Sequence, residues 1–142
     1  MTEAHREPGA ILGLDPGERR IGVAVAVPGG NMALPLTVIE RGEGWLDALA
    51  ALLAEHRATE VVVGLPVSLR GTEGAAAARA RELAAEVGTR LGVPVHLVDE
   101  RLSTVAAGRA LAEGGARSRR RKALVDRSAA AVILQAYLDG AS

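Results

Sequence analysis

Residues 10–30 read AILGLDPGERRIGVAVAVPGG, and this stretch decides the fold. Ala10 to Leu14 form an apolar run that stops at Asp15-Pro16-Gly17. That pattern predicts a buried strand followed by a turn, because Pro and Gly break the hydrogen-bond ladder. Arg20 to Val27 form a second strand, stopped by Pro28-Gly29-Gly30. A third strand is expected near 32–40, where Pro35 marks an edge or irregular position. Three strands with short links predict an antiparallel meander.

Downstream the hydrophobic period changes. Leu46, Leu49, Leu52 and Leu53 have helical spacing, which predicts an amphipathic helix over 43–57. Residues 60–64 (EVVVG) read as a strand buried on both faces. A Gly/Pro-rich loop runs from Gly64 to Gly74, and residues 75–91 are Ala-rich and helical, ending near Gly92. Pro94 introduces a strand over 95–99; a helix is expected over 104–113, a basic loop over 114–121 and a last helix over 123–139. The order βββ-α-β-α-β-α-α predicts an α/β fold: a mixed sheet with helices on both faces. Residues 1–9 are polar and are expected to form a flexible N-terminal segment, with residues 10–142 making a single domain.

Composition removes several function classes. The chain has 142 residues, 49% hydrophobic and 24% charged, enough for one core. It has no cysteine, which excludes disulfides, thiolate zinc sites and cysteine nucleophiles. Trp45 and Tyr137 are the only aromatic residues, which argues against a base-stacking platform for single strands. Residues 1–9 lack the apolar stretch of a signal peptide, and no apolar run is long enough to span a membrane. A cytoplasmic location and no membrane partner are expected. Lys+Arg 17 balance Asp+Glu 17, so net charge names no partner. Yet Arg117, Arg119, Arg120, Arg121 and Lys122 form a compact basic run. Arginine suits bidentate phosphate recognition, although codon bias in a GC-rich genome also enriches it.

The candidate chemistry is carried by carboxylates. Asp15 ends the first strand and Glu100 follows the last one. In open α/β sheets, ligands gather outside the carboxyl ends of the strands. Asp126 is expected near the start of the last helix, on a face shared with Ala130, Ile133 and Tyr137, which would point it inward. Converging carboxylates repel unless a cation holds them. Oxygen-only ligand sets favour Mg²⁺ or Mn²⁺, and two such ions roughly 3.5–4 Å apart can clamp a reacting phosphodiester. Each acid also has a plainer explanation: Asp15 as a turn residue, Glu100 as a surface partner of Arg101, Asp126 as a complement to a helix dipole. Asp99 competes with Glu100, since strand alternation sets the two on opposite faces. His96 reads as structural. Arg20 and Arg101 beside the acids, and Ser68, Arg70 and Thr72 in the glycine-rich loop, are candidate phosphate contacts.

Four ordered blocks carry a resemblance. They are Ile11 to Gly17 with Arg20 to Ala24; Val63-Gly64-Leu65-Pro66 with Gly71-Thr72-Glu73-Gly74; Val98 to Thr104; and Val125-Asp126 with Ala129-Ala130, Ile133 to Gln135 and Tyr137-Leu138. Together they resemble the YqgF (RuvX) family of bacterial Holliday-junction resolvases, which have an RNase H-like fold and are also implicated in trimming the precursor of small-subunit ribosomal RNA. The resemblance implies that Asp15, Glu100 and Asp126 are a metal-binding catalytic triad and that the loop from Gly64 to Gly74 lines the cleft. Ser68 and Arg70 depart from the family, whose members often have Asn and Asp there. The implied substrate is a four-way DNA junction, a structured RNA precursor, or both. A junction has approximate two-fold symmetry and needs two matched cuts, so a homodimer is expected on it. Two other readings compete: a nucleic-acid-binding assembly factor with dispensable activity, and an actin-like phosphotransferase. The latter needs two such domains, and this chain supplies one.

Overall fold

The computed structural model describes residues 8–68, 70–100 and 128–140. Its elements are β1 (Ala10–Pro16), β2 (Arg20–Ala26), β3 (Leu34–Glu40), α1 (Trp45–His56), β4 (Ala58–Leu65), α2 (Ala75–Leu91), β5 (Val95–Asp99) and α3 (Ala129–Leu138). The five strands form one sheet in the order β3-β2-β1-β4-β5. β1 pairs antiparallel with β2, and β2 with β3, closing the expected meander. β4 lies parallel to β1 and β5 parallel to β4, as helical crossovers require. Pro35 sits in the edge strand β3, where the register with β2 slips between Val23 and Ala24. An edge strand can spare the donor that proline lacks.

Alternation sorts the strand residues into two cores. Leu12, Leu14, Ile21, Val23, Val61 and Val63 pack with Leu49 and Leu53 of α1 and with Ala80, Leu83 and Val87 of α2. Ala24, Ala26, Val62 and Val98 pack on the opposite face with Ala130, Ile133 and Leu134 of α3. Burying a Val or Leu side chain fully is worth about 1.5–3 kcal/mol, so the branched residues of the first core supply most of the cohesion. No described helix is long and apolar enough to cross a membrane.

Two boundaries differ from expectation. β1 runs one residue past Asp15: Asp15 pairs with Gly22 and Pro16 with Ile21, and the chain reverses after Gly17, whose N–H donates to the Arg20 carbonyl at 2.8 Å. Asp15 is therefore held by the ladder and is not a turn residue. The last helix starts at Ala129, not near 123. Ser128 has non-helical backbone angles, and its Oγ accepts the Ala131 N–H at 3.0 Å, an N-cap that ends the helix on that side. Of the expected face, Ala130, Ile133 and Tyr137 lie in this helix. Asp126, the 104–113 helix and the 114–121 loop lie outside the described residues.

Candidate active site

The sheet face under α3 is built from small residues. Gly13, Gly22, Ala24, Ala26 and Gly64 take the places that branched residues take on the other face. A Cβ added to Gly13 would stand 2.6 Å from Leu134 Cβ, and one added to Gly64 would stand 2.4 Å from Ile133 Cδ1. Real β-carbons do not approach so closely, so these glycines serve the close seating of α3.

Asp15 and Glu100 share that face, at the carboxyl ends of the parallel strands. Asp15 lies opposite Gly22, and a Cβ placed on Gly22 would be 3.6 Å from both Asp15 Cβ and Ala130 Cβ. On the other side Leu14 pairs with Val63, so the next step sets Asp15 beside Gly64. Gly64 pairs with Val98, two residues before Glu100, and a Cβ on Gly64 would be 2.8 Å from Glu100 Oε1. Across three strands the row is Asp15, Gly64 and Val98, and Glu100, just past the end of β5, turns its carboxylate back over Gly64 on the side where Asp15 stands. Asp99 falls on the opposite face by alternation, which separates it from Glu100 as a partner for Asp15.

The charges of this pair are costly. Burial raises the Asp15 carboxyl above its usual pKa. Glu100 is raised by burial first, then by the negative charges of Asp15 and Asp99. Two half-buried acids that destabilise each other's charge can be relieved by a proton or by a cation. Among the described residues no group of three or more His, Asp or Glu side chains could hold a metal ion. Asp126, the third acid expected from the sequence, lies outside the described residues.

Other candidate residues are placed differently. Arg20 lies near the edge of the same face, with its guanidinium 3.6 Å from Glu40 and open to solvent. In the loop after β4, the Ser68 N–H donates to the Thr72 carbonyl, the Thr72 N–H to Ser68 Oγ, and the Gly71 N–H to the Ser68 carbonyl. These three donors are engaged inside the turn, and Arg70 beside them is exposed. Arg101, Arg117, Arg119, Arg120, Arg121 and Lys122 lie outside the described residues. His96 stacks on Tyr137 at 5.2 Å, at the end of the face remote from Glu100, in keeping with a structural role. A groove of about 500 Å³ between β3 and α1, lined in part by Thr37, Trp45 and Leu52, holds neither Asp15 nor Glu100.

Residues 9–140 match the RuvX family, described as Holliday junction resolvase. The chain belongs to the RuvX family. RuvX-family relatives named "Putative pre-16S rRNA nuclease" include one from Thermobifida fusca (strain YX), 49% identical over 139 residues, covering 92% of this chain and 87% of the relative. Another, from Nocardioides sp. (strain ATCC BAA-499 / JS614), is 47% identical over 137 residues, covering 92% and 88%. Among solved structures, T. thermophilus RuvC in complex with a Holliday junction substrate aligns with a TM-score of 0.55 at 18% identity, over 94% of this chain and 98% of that one. The latter likeness is one of fold, and it makes the sheet RNase H-like. RuvX membership places the chain among nucleases of structured nucleic acid.

Gly22 and Ser128 shape the site of this RuvX chain without carrying any of its expected chemistry. A glycine inside an apolar strand is itself a sign of close approach, and a serine before an Ala-rich helix is a sign of a cap. Both signals stand in the sequence. Neither says what makes the approach.

Proposed function

We propose that this chain is a divalent-metal-dependent endonuclease that hydrolyses phosphodiester bonds in structured nucleic acid, with Asp15, Glu100 and Asp126 holding Mg²⁺ or Mn²⁺. The observation that carries this reading is the pair Asp15 and Glu100 facing each other over Gly64. The hard oxygen donors and their mutual repulsion fit a divalent cation. When bound, such ions supply Lewis-acid activation of water and of the scissile phosphate. The chain's own residues do the rest. The β1 ladder fixes Asp15, the end of β5 presents Glu100, and α3 keeps water off the face behind them. Asp126 precedes the Ser128 cap by two residues, a reach of at most about 7 Å, so it can join from the α3 side. Arg20, Arg70, Arg101 and the run Arg117, Arg119, Arg120, Arg121 and Lys122 would meet the phosphates, with Ser68 and Thr72 offering hydroxyls.

The relatives' names favour the precursor of 16S rRNA as substrate, and the family description favours the four-way DNA junction. Both would be met in the cytoplasm, and junction cleavage calls for a homodimer. The test is a side-by-side digestion of labelled junctions and ribosomal RNA precursor with Mg²⁺ or Mn²⁺, comparing wild type with Asp15→Asn. Cleavage by wild type alone supports the reading. Equal cleavage by both, in preparations free of other nucleases, removes Asp15 from the site. Binding without cleavage by either would leave an assembly factor.

A further inference from the structure

We propose that Glu73 and Arg81 are positioning residues for nucleic-acid binding: their ion pair sets the turn after β4 so that Arg70 meets a phosphate of the bound strand. This rests on the nucleic-acid reading above. β4 ends at Leu65, one residue past Gly64, where an added Cβ would lie 2.8 Å from Glu100 Oε1. The chain that follows therefore leaves the sheet beside the candidate site. It closes into a turn on the hydrogen bonds of Ser68, Gly71 and Thr72, with Gly71 in the left-handed backbone conformation at φ 86°. Arg70 is exposed in that turn, and among the described residues it has no ion-pair partner. Its guanidinium is open to a phosphate.

Two contacts hold the base of the turn, where Val67 and Glu73 bridge antiparallel. On one side Val67 packs against the core. On the other, Glu73 Oε1 accepts the Arg81 Nε–H at 2.7 Å, and Oε2 accepts a second N–H of the same guanidinium at 2.6 Å. Arg81 belongs to α2, which seats Ala77, Ala80, Leu83 and Val87 in the core and so gives the turn a fixed reference. An exposed ion pair adds little stability, but a fork of two parallel N–H···O bonds fixes direction. Glu73 also stands just before α2, where an acid complements the helix dipole. That accounts for an acid at 73 but not for Arg81 or for both oxygens aiming at it. By charge alone an acid three residues from Arg70 works against a phosphate, so the pair serves geometry.

The experiment is fluorescence anisotropy titration of labelled four-way junction and ribosomal RNA precursor with the full chain, in a chelating buffer that prevents cleavage. The variants are Glu73→Gln, Arg81→Gln and the two combined, each with and without Arg70→Ala. Glu73→Gln and Arg81→Gln should each weaken binding about 2–5-fold, the coupling that an exposed ion pair can lend. The combination should bind no worse than either alone, and all three should melt close to wild type. The sign at residue 73 decides: charge alone would make Glu73→Gln bind more tightly, because it removes a negative group near the phosphates. Arg70→Ala should flatten the log–log salt slope of the wild type by about 0.7–0.9 units, and should do much less where the pair is already broken. With Mn²⁺ present, cleavage by Glu73→Gln should show a raised KM and an unchanged kcat. Unchanged or tighter binding by Glu73→Gln overturns the proposal. So does an Arg70→Ala effect of equal size in every background, or a fall in kcat with KM kept. If the wild type binds neither nucleic acid, the functional reading itself fails, a different result from the failure of the pair alone.

Discussion

The Tyr137 hydroxyl donates to Glu60 Oε1 at 3.2 Å while its ring stacks on His96, so the last turn of α3 is tied to both β4 and β5. Gln135 adds a second tie, accepting the Ala33 N–H at 2.9 Å and donating to the Asn31 carbonyl at 2.9 Å. These bonds fix one end of α3, and the glycine floor under Leu134 and Ile133 fixes its depth. Together they set where the Ser128 end stands relative to Asp15.

Tyr137→Phe should cost about 1 kcal/mol in urea unfolding, since the stack on His96 survives and only the hydrogen bond is removed. The Tyr137 hydroxyl is raised above its usual pKa by burial, then by the Glu60 charge and the hydrogen bond to it. A raised pKa gives stability that is complete below the unfolded value of about 10 and is lost as pH rises through the folded one. Unfolding curves taken across alkaline pH should show that loss in wild type and not in Tyr137→Phe.

Gly13→Ala should destabilise by about 1–3 kcal/mol, the usual cost of overpacking, because its Cβ would meet Leu134 Cβ at 2.6 Å. Leu134→Ala would not restore the stability, since alanine keeps the Cβ that the new methyl group meets and the Ala130 carbonyl stands 3.2 Å away on the helix backbone. Chemical denaturation of Gly13→Ala and Gly13→Ala/Leu134→Ala measures both effects.

Asp15→Asn should abolish cleavage, by more than the roughly 10–100-fold that losing an outer partner costs a metal site, and leave nucleic-acid binding in place. Metal-free, it should be at least as stable as wild type at neutral pH. Asp15 and Glu100 both have raised pKa values, so their contribution to stability is full below the unfolded values near 4 and is lost as pH rises through the folded ones. Differential scanning fluorimetry from pH 4 to 8 checks this. Mn²⁺ should raise the wild-type melting temperature more at pH 7.5 than at pH 5, because protons compete for the same oxygens, and should have little effect on Asp15→Asn.

Neutralising Arg119, Arg120 and Arg121 together should weaken binding to junction and RNA alike. For every arginine that neutralises a phosphate, its removal should flatten the log–log salt dependence by about 0.7–0.9 units, because fewer counterions are released on binding. Fluorescence anisotropy titrations at several salt concentrations measure that slope, and an unchanged slope would return the run to a solvated loop.

The sequence by itself determined the meander, the alternating units after it and the edge position of β3, because those rest on local period and on Pro and Gly, which act within a few residues. It also put Asp15 and Glu100 at strand ends. Only the tertiary structure decided that the two acids meet, since β1 and β5 are brought to either side of β4 by crossovers that no local pattern encodes. The choice of Glu100 over Asp99 has the same origin: alternation says they differ in face, and only the seat of α3 says which face carries Asp15. Ser128 shows the opposite error, a helix read as longer than it is, because the apolar pattern continues past the cap and only the Ser128–Ala131 hydrogen bond ends it. Gly64 is plain in the sequence as a residue; that it lies beside Asp15 and next to the Glu100 carboxylate is a property of three strands side by side.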